Sequence, residues 1–137
     1  MNLFNGSPET TMLLWATVLG LVQLVIATMA ATRDQGLPYN LSARDLPAPP
    51  VSVMSGRLLR AFKNFKETFV LFAAAIILVT LMGRQDGSSA MGAQLYFWAR
   101  LAYVPVYATG IIVLRTIIWA ISIVGLVMVL LAAFGLA

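Results

Sequence analysis

Long apolar stretches dominate this sequence and restrict what the chain can fold into. About 20 apolar residues are enough to cross the hydrocarbon core of a bilayer, which is about 30 Å thick. One such run extends from Thr11 to Ala31, a second ends at Met82, and residues 90–137 are almost continuously apolar. Because this last region has the length of two spans, the 137 residues predict about four crossings and no extramembrane domain. The predicted fold class is an all-α integral membrane four-helix bundle.

The composition removes several kinds of chemistry. Only 10% of the residues are charged, whereas soluble domains carry about 25%. The sequence contains no Cys and no His, which excludes thiol nucleophiles, disulfides, Cys/His zinc sites and a His general base. The net charge of +4 is attributed to membrane topology rather than to nucleic-acid binding, because the basic residues lie near the predicted spans.

Start and stop signals divide the chain into helices. Ser7 and Pro8 form a helix start, whereas Pro105 and Gly110 break the last apolar region. A cleavable secretory signal is the alternative for the first run, but the segment before it has no Lys or Arg and the run is longer than a signal requires. Residues 32–55 are expected to form an irregular loop. The predicted helices, within a single domain 1–137, cover residues 9–31, 55–82, 90–108 and 111–136.

The basic residues predict an orientation. Most of them lie in the first loop and in the adjoining turns of the second helix, whereas the loop between spans two and three has only Arg84. The positive-inside rule therefore places the long loop in the cytoplasm and both termini outside it. The basic residues of this region are Arg33, Arg44, Arg57, Arg60, Lys63 and Lys66.

Two polar stripes are predicted at a similar depth. On the second helix, the polar residues have spacings of three, four and three, so they share one face, while Phe62, Phe65, Phe69 and Phe72 gather opposite them. On the third helix, spacings of four, three and four create a similar stripe. The two stripes are Arg57, Arg60, Asn64 and Glu67, and Tyr96, Arg100, Tyr103 and Tyr107.

A buried ion pair and an anion pocket follow from these stripes. An unpaired charge at this depth costs several kcal/mol, so we expect Glu67 and Arg100 to form a structural ion pair between the second and third helices. Polar groups at the cytoplasmic end would bind a small zwitterionic or polyanionic molecule. Alternatively, basic residues are topology anchors, which suits Lys63, Lys66, Arg33 and Arg44. The pocket residues are Arg57, Arg60, Asn64, Tyr103, Tyr107 and Arg115.

The same residues resemble a known family. "RLLRAFKNFKETFVLF" (57–72) resembles the second-helix signature of MAPEG proteins, the membrane-associated proteins of eicosanoid and glutathione metabolism, and "FWARLAYVPVYATG" (97–110) resembles their third helix. "LSARD" and "LRTIIW" are typical of the bacterial branch. The resemblance implies a homotrimer in a bacterial inner membrane, which binds glutathione between subunits near the cytoplasmic end. A lipophilic electrophile would approach from the lipid.

The resemblance also assigns roles to residues. Arg115 corresponds to an arginine that stabilises the glutathione thiolate, since a nearby guanidinium lowers a thiol's pKa. Thr68 stands where some glutathione-using members have Tyr. The implied activity is that of a glutathione transferase or peroxidase without a metal; the alternatives are a non-catalytic membrane protein that retains the bundle and, less favoured, a small transporter subunit. The positions implied to contact glutathione are Arg57, Arg60, Asn64, Glu67, Tyr103 and Tyr107.

Overall fold

All regular secondary structure in the described part of the chain is helical. A computed structural model describes residues 6–136, so the ends of the predicted domain, residues 1–5 and 137, lie outside it. Four helices are long, and one is a single short turn in the first loop. The helices are α1 Pro8–Gln35, α2 Leu37–Asn40, α3 Val53–Leu81, α4 Gly87–Thr109 and α5 Ile112–Phe134.

Three of these helices have the character of membrane spans. Within residues 6–136, α1, α3 and α5 are long and apolar enough to cross a bilayer. Helix α4 has the same length as α5, 23 residues. Polar residues such as Ser89, Gln94 and Arg100 lower its mean hydropathy. The chain is therefore an integral membrane protein with three clear spanning helices.

The first loop is more ordered than the sequence predicted. Helix α1 continues to Gln35 and is followed by α2, although this region was expected to be irregular. Helix α3 begins at Val53, two residues before the predicted Ser55, with Ser52 as its N-cap. The Ser52 hydroxyl accepts a hydrogen bond from the Ser55 backbone N–H, which caps the start of α3. The Asp34 carboxylate accepts a hydrogen bond of 2.8 Å from the Ser52 backbone N–H, which joins the end of α1 to the start of α3.

The break between α4 and α5 lies at Gly110, between the predicted helices 90–108 and 111–136. Pro105 remains inside α4, which continues to Thr109. Gly110 then adopts a φ of +79°, a left-handed conformation that side chains with a Cβ disfavour, and the chain turns back into α5. Ser7 caps α1 through its side chain, and Pro8 follows it, as predicted.

Hydrogen bonds hold the end of the molecule near the chain termini. The buried Glu9 carboxylate on α1 accepts a hydrogen bond from the Ser89 hydroxyl at the start of α4. Asp86 and Ser89 form a capping box there. Arg84 donates to the Ala133 carbonyl at the end of α5, over 2.7 Å. The N-terminal ends of α1 and α4 and the C-terminal end of α5 are thereby fixed to one another.

Close backbone contact joins α4 to α5. A Cβ on Gly92 would lie 2.5 Å from the Gly125 carbonyl oxygen, and a Cβ on Gly125 would lie 2.5 Å from that of Gly92. These two positions therefore require residues without a side chain. The aromatic face of α3 packs into the core that this contact supports, where Phe65 is 2% exposed and Phe72 is fully buried.

Replacing Gly125 should separate these helices. In Gly125→Ala, the new methyl group would also meet the Tyr96 backbone nitrogen at 2.8 Å, so the helices must move apart. We expect the variant to be destabilised by about 1–3 kcal/mol, seen as a lower melting temperature in detergent. The control is Gly87→Ala in α4, where a Cβ meets nothing within 4 Å. Equal melting temperatures for the two variants would contradict the close contact.

Candidate functional site

Three helices together form one polar pocket with a volume of about 280 Å³. Helix α3 contributes two side chains, α4 contributes two tyrosines, and α5 contributes its first turn and the turn after it. Five of the lining residues were predicted for the pocket: four of them belong to the polar stripes, and the fifth is Arg115. The polar pocket is lined by Arg60, Asn64, Tyr103, Tyr107, Arg115, Thr116 and Trp119.

Local structure explains how these side chains meet. Arg60 and Asn64 are one helical turn apart on α3, and Tyr103 and Tyr107 are one turn apart on α4, so each pair projects from one face. The turn at Gly110 reverses the chain directly after Tyr107. Arg115, in the first turn of α5, is therefore returned to the side of α4 that carries the tyrosines.

Tyr107 lies between two guanidinium groups. The Nε of Arg60 donates a hydrogen bond of 3.1 Å to the Tyr107 hydroxyl. The Cζ of Arg115 lies 4.8 Å from the centre of the Tyr107 ring, a distance at which a cation is attracted to the negative face of the ring. Both guanidinium groups therefore contact the same tyrosine in the pocket.

The floor of the pocket contains an unused acceptor. The Oδ1 of Asn64 is buried and has no hydrogen-bond partner within residues 6–136. Tyr103, which is 3% exposed, lies 5.5 Å from Tyr107 between ring centres. The pocket thus offers cationic donors from Arg60 and Arg115, a phenol and a free amide oxygen. Such a set suits a molecule that has both an anionic group and a donor.

Arg57 lies outside this pocket, although it was predicted to line it. One guanidinium nitrogen of Arg57 donates to the Ala108 carbonyl over 3.1 Å, and the group packs against Gly110. The last carbonyls of a helix have no partner within the helix, so Arg57 satisfies the end of α4. Arg57 therefore contacts the end of α4 and does not line the pocket.

The predicted ion pair between Glu67 and Arg100 is not formed within the described chain. Glu67 is exposed on α3, whereas Arg100 is 1% exposed and none of its guanidinium nitrogens has a hydrogen-bond partner among residues 6–136. The Cζ of Arg100 instead lies 4.3 Å from the centre of the Tyr103 ring. The prediction matched depth along the two helices, but it did not account for the rotation of α3, which turns Glu67 away.

Sequence reasoning missed Thr116 and Trp119. They follow Arg115 by one and four residues, and a helical projection of α5 around Arg115 would have placed Trp119 on the same face.

The Thr68 hydroxyl, at a position where some glutathione-using proteins have Tyr, lies 2.9 Å from the Tyr96 hydroxyl in the core. Thr68 thus takes no part in lining the pocket.

Comparison with known proteins identifies the family of the chain. The MAPEG family model matches residues 12–135, nearly the whole chain. The chain belongs to the MAPEG family. A search of curated proteins finds no match. MAPEG proteins are generally related to glutathione, and the polar pocket of this member is formed by the segments that carried the resemblance.

The polar groups of this MAPEG pocket are guanidinium, amide, phenol and hydroxyl groups of its side chains. Within the described residues, no group of three or more acidic side chains lies together as a metal site. Arg60 and Arg115 are suited to bind carboxylates or to stabilise a thiolate, because guanidinium groups stay charged at all ordinary pH values. The pocket can therefore bind and orient an anionic molecule and favour its deprotonated form.

The structural role of Arg57 predicts a difference between neighbouring arginines. Arg57→Met keeps the apolar stem but loses the hydrogen bond to Ala108, so it should destabilise the protein by about 1 kcal/mol or more. Arg60→Met is the matched control, since Arg60 is exposed and lies one turn away. Melting temperatures in detergent should fall more for Arg57→Met. A larger fall for Arg60→Met would show that Arg57 does not cap α4.

Proposed function

We propose that this protein is a glutathione-dependent transferase or peroxidase of the membrane, which joins glutathione to a lipophilic electrophile. Glutathione would bind in the polar pocket, and the electrophile would reach it from the bilayer. One observation carries this proposal: the guanidinium groups of Arg60 and Arg115 meet at Tyr107 in a pocket next to the unpartnered Asn64 oxygen. Glutathione supplies two carboxylates, an amine and amide donors to such a set.

In this proposal, residues of α3 bind glutathione. The Arg60 guanidinium has its Nε on Tyr107, so its terminal nitrogens remain to hold a carboxylate as a fork. The free Oδ1 of Asn64 would accept a hydrogen bond from an amide or ammonium group of glutathione. Both contacts are equally strong before and during the reaction, so they would lower KM rather than raise kcat.

In this proposal, Arg115 activates the thiol of glutathione. Its positive charge would stabilise the thiolate of glutathione, which is the nucleophilic form. The sulfur then forms a bond to the electrophilic carbon of the acceptor, and the electron pair displaced from that carbon leaves with the leaving group or moves onto a conjugated atom. The thiol proton passes to water, which would reach the pocket from its proposed cytoplasmic end.

We also propose a homotrimer in which four helices of each subunit cross the bilayer and glutathione binds between neighbouring subunits. The exposed charges of α3 support this assembly. Lys63, Lys66 and Glu67 are exposed on a helix that has the character of a membrane span, and charges facing hydrocarbon are costly. A neighbouring copy that covers this face would remove the cost. The basic first loop supports a cytoplasmic position for the pocket and an external position for both termini.

A non-catalytic membrane protein is the second candidate. The observation that favours it is the position of Thr68, whose hydroxyl forms a hydrogen bond with the Tyr96 hydroxyl in the core. The pocket therefore lacks a phenol from α3 where some glutathione-using relatives have one. In this second case the protein would bind an anionic molecule without activating a thiol.

Arg115 should matter for turnover and Arg60 for binding. In Arg115→Ala, we expect the ultraviolet thiolate absorbance of bound glutathione to move to higher pH and kcat to fall, with affinity largely kept. In Arg60→Ala, we expect mainly a higher KM. Arg115→Lys, which keeps the charge, should recover part of the thiolate signal, and Arg33→Ala, outside the pocket, should behave like the unaltered protein.

Two outcomes would decide between the candidates. Unaltered protein that binds glutathione but shows no thiolate absorbance near neutral pH would reject activation and favour the non-catalytic role. Protein that does not bind glutathione at all would reject both the transferase and the assignment of the pocket to this thiol.

The assembly is tested through Glu67. In a trimer, the exposed Glu67 carboxylate of one subunit should contact cationic groups of the neighbouring copy. Glu67→Gln should therefore lower the share of trimer seen by native mass spectrometry in mild detergent. Asp45→Asn is the control, because Asp45 is exposed in the first loop. Monomers alone from the unaltered protein would reject the trimer, and an unchanged trimer share in Glu67→Gln would reject a role for this carboxylate.

A further inference from the structure

A long apolar groove runs between α1 and α4 on the outside of the molecule. One part of it has a volume of about 460 Å³ and reaches from Val22 to Pro105. A second part of about 440 Å³ continues towards Met12 and Trp15. Both parts are lined by Trp98 and Leu101 of α4, so they form one continuous surface, which we name the α1–α4 groove.

A single polar side chain of α1, Gln23, lines this groove. Gln23 lies near the middle of α1 and is 5% exposed. Its amide nitrogen is buried and has no hydrogen-bond partner within residues 6–136. A buried amide without a partner is costly, and polar residues at mid-membrane are functional sites by default. A half-turn about the last side-chain bond of Gln23 exchanges its nitrogen and oxygen, so either atom can face the groove.

Pro105 provides a second polar group in the same place. Proline has no N–H, so the carbonyl of the residue four positions earlier loses its partner in the helix. In α4 that residue is Leu101, and both Leu101 and Pro105 line the groove. The groove is therefore lined by the Gln23 amide and by Leu101, whose carbonyl lacks the usual helical partner, inside walls that are otherwise apolar.

The groove is separate from the polar pocket and from the charged face of α3. No residue lines both the groove and the pocket. On α3, Leu58 lines the groove, and Glu67 follows it by nine residues, which is half a turn round the helix. A copy of the protein that covers Glu67 would therefore lie on the opposite side of α3 and leave the groove open to the bilayer.

We infer that the α1–α4 groove binds a long lipophilic molecule that carries a carbonyl or hydroxyl oxygen. The oxygen accepts a hydrogen bond from the Gln23 amide, and a hydroxyl also donates to the Leu101 carbonyl. The apolar tail lies along the groove towards Met12 and Trp15. Each part of the groove has the volume of an ordinary small-molecule site. A hydrocarbon chain of the bilayer would fill the walls but would leave the amide without a partner, so it is the weaker occupant.

Trp98 makes the groove measurable. It is 57% exposed and lines the groove, so a variant with Trp15→Phe and Trp119→Phe retains one reporter at the site. The probe is a fully substituted benzoquinone with a decyl tail, which carries carbonyl oxygens and quenches tryptophan fluorescence. The sequence has no Cys, so no thiol adduct of the protein forms. In nanodiscs we expect quenching that saturates with probe concentration.

Matched amide variants test the role of Gln23. Gln23→Met has similar length and no donor, and it should weaken saturable quenching about five- to tenfold, the effect of one lost hydrogen bond. The control is Gln94→Met, an exposed amide one turn before Trp98 on α4 and outside the groove; it should leave the saturation curve unchanged. Equal saturation in Gln23→Met and its parent would overturn the proposal.

A competition experiment does not depend on any Gln23 variant folding. In the single-tryptophan protein, a long-chain methyl ketone should displace the quinone, whereas the alkane of the same length should not. Displacement by both would show that the groove takes any hydrocarbon chain, and quenching that rises linearly without saturation would show that no site exists. Neither result involves glutathione, so the test is independent of the function proposed for the polar pocket.

Discussion

The backbone contact between Gly92 and Gly125 determines which face of α4 is turned inward. At 100° per residue, the four members of the polar stripe on α4 all lie within about 80° of Gly92 around the helix. Fixing Gly92 against α5 therefore turns this stripe into the protein, so that Arg100 is buried among aromatic rings and Tyr107 reaches the pocket. The position of the candidate site thus depends on two residues that have no side chain.

Arginines at both ends of the molecule replace the water that helix ends normally use. The carbonyls at the end of α4 are met by Arg57, and those at the end of α5 are met by Arg84. A polar backbone group near hydrocarbon needs such a partner, and an arginine on an adjacent element can reach it. Some basic residues that look like topology signals are therefore part of the tertiary structure.

The sequence predicted most of the pocket because helical periodicity decides which residues share a face. Arg60 and Asn64, and also Tyr103 and Tyr107, needed only correct spacing to be grouped. The absence of an ion pair between Arg100 and Glu67 could not be predicted. Depth along the helix axis does not specify how far α3 is rotated, and this rotation turns Glu67 away from Arg100. The helix N-terminus at Ser52 was placed at Ser55 instead, although Ser52 caps α3 through a local contact with the Ser55 backbone N–H. Only the hydrogen bond from Ser52 to Asp34, which is distant in sequence, lay beyond prediction.

Pro105 lies between the two tyrosines of the pocket and gives α4 a weak point there. The helix before it is pinned to α5 through Gly92, and the missing backbone hydrogen bond lets the last turn bend at low cost. Such bending would carry Tyr107, and the guanidinium groups that rest on it, relative to a stationary Tyr103. The hydrogen bond from Arg57 to the Ala108 carbonyl holds this turn against α3, so the width of the pocket depends on that contact as well as on Pro105.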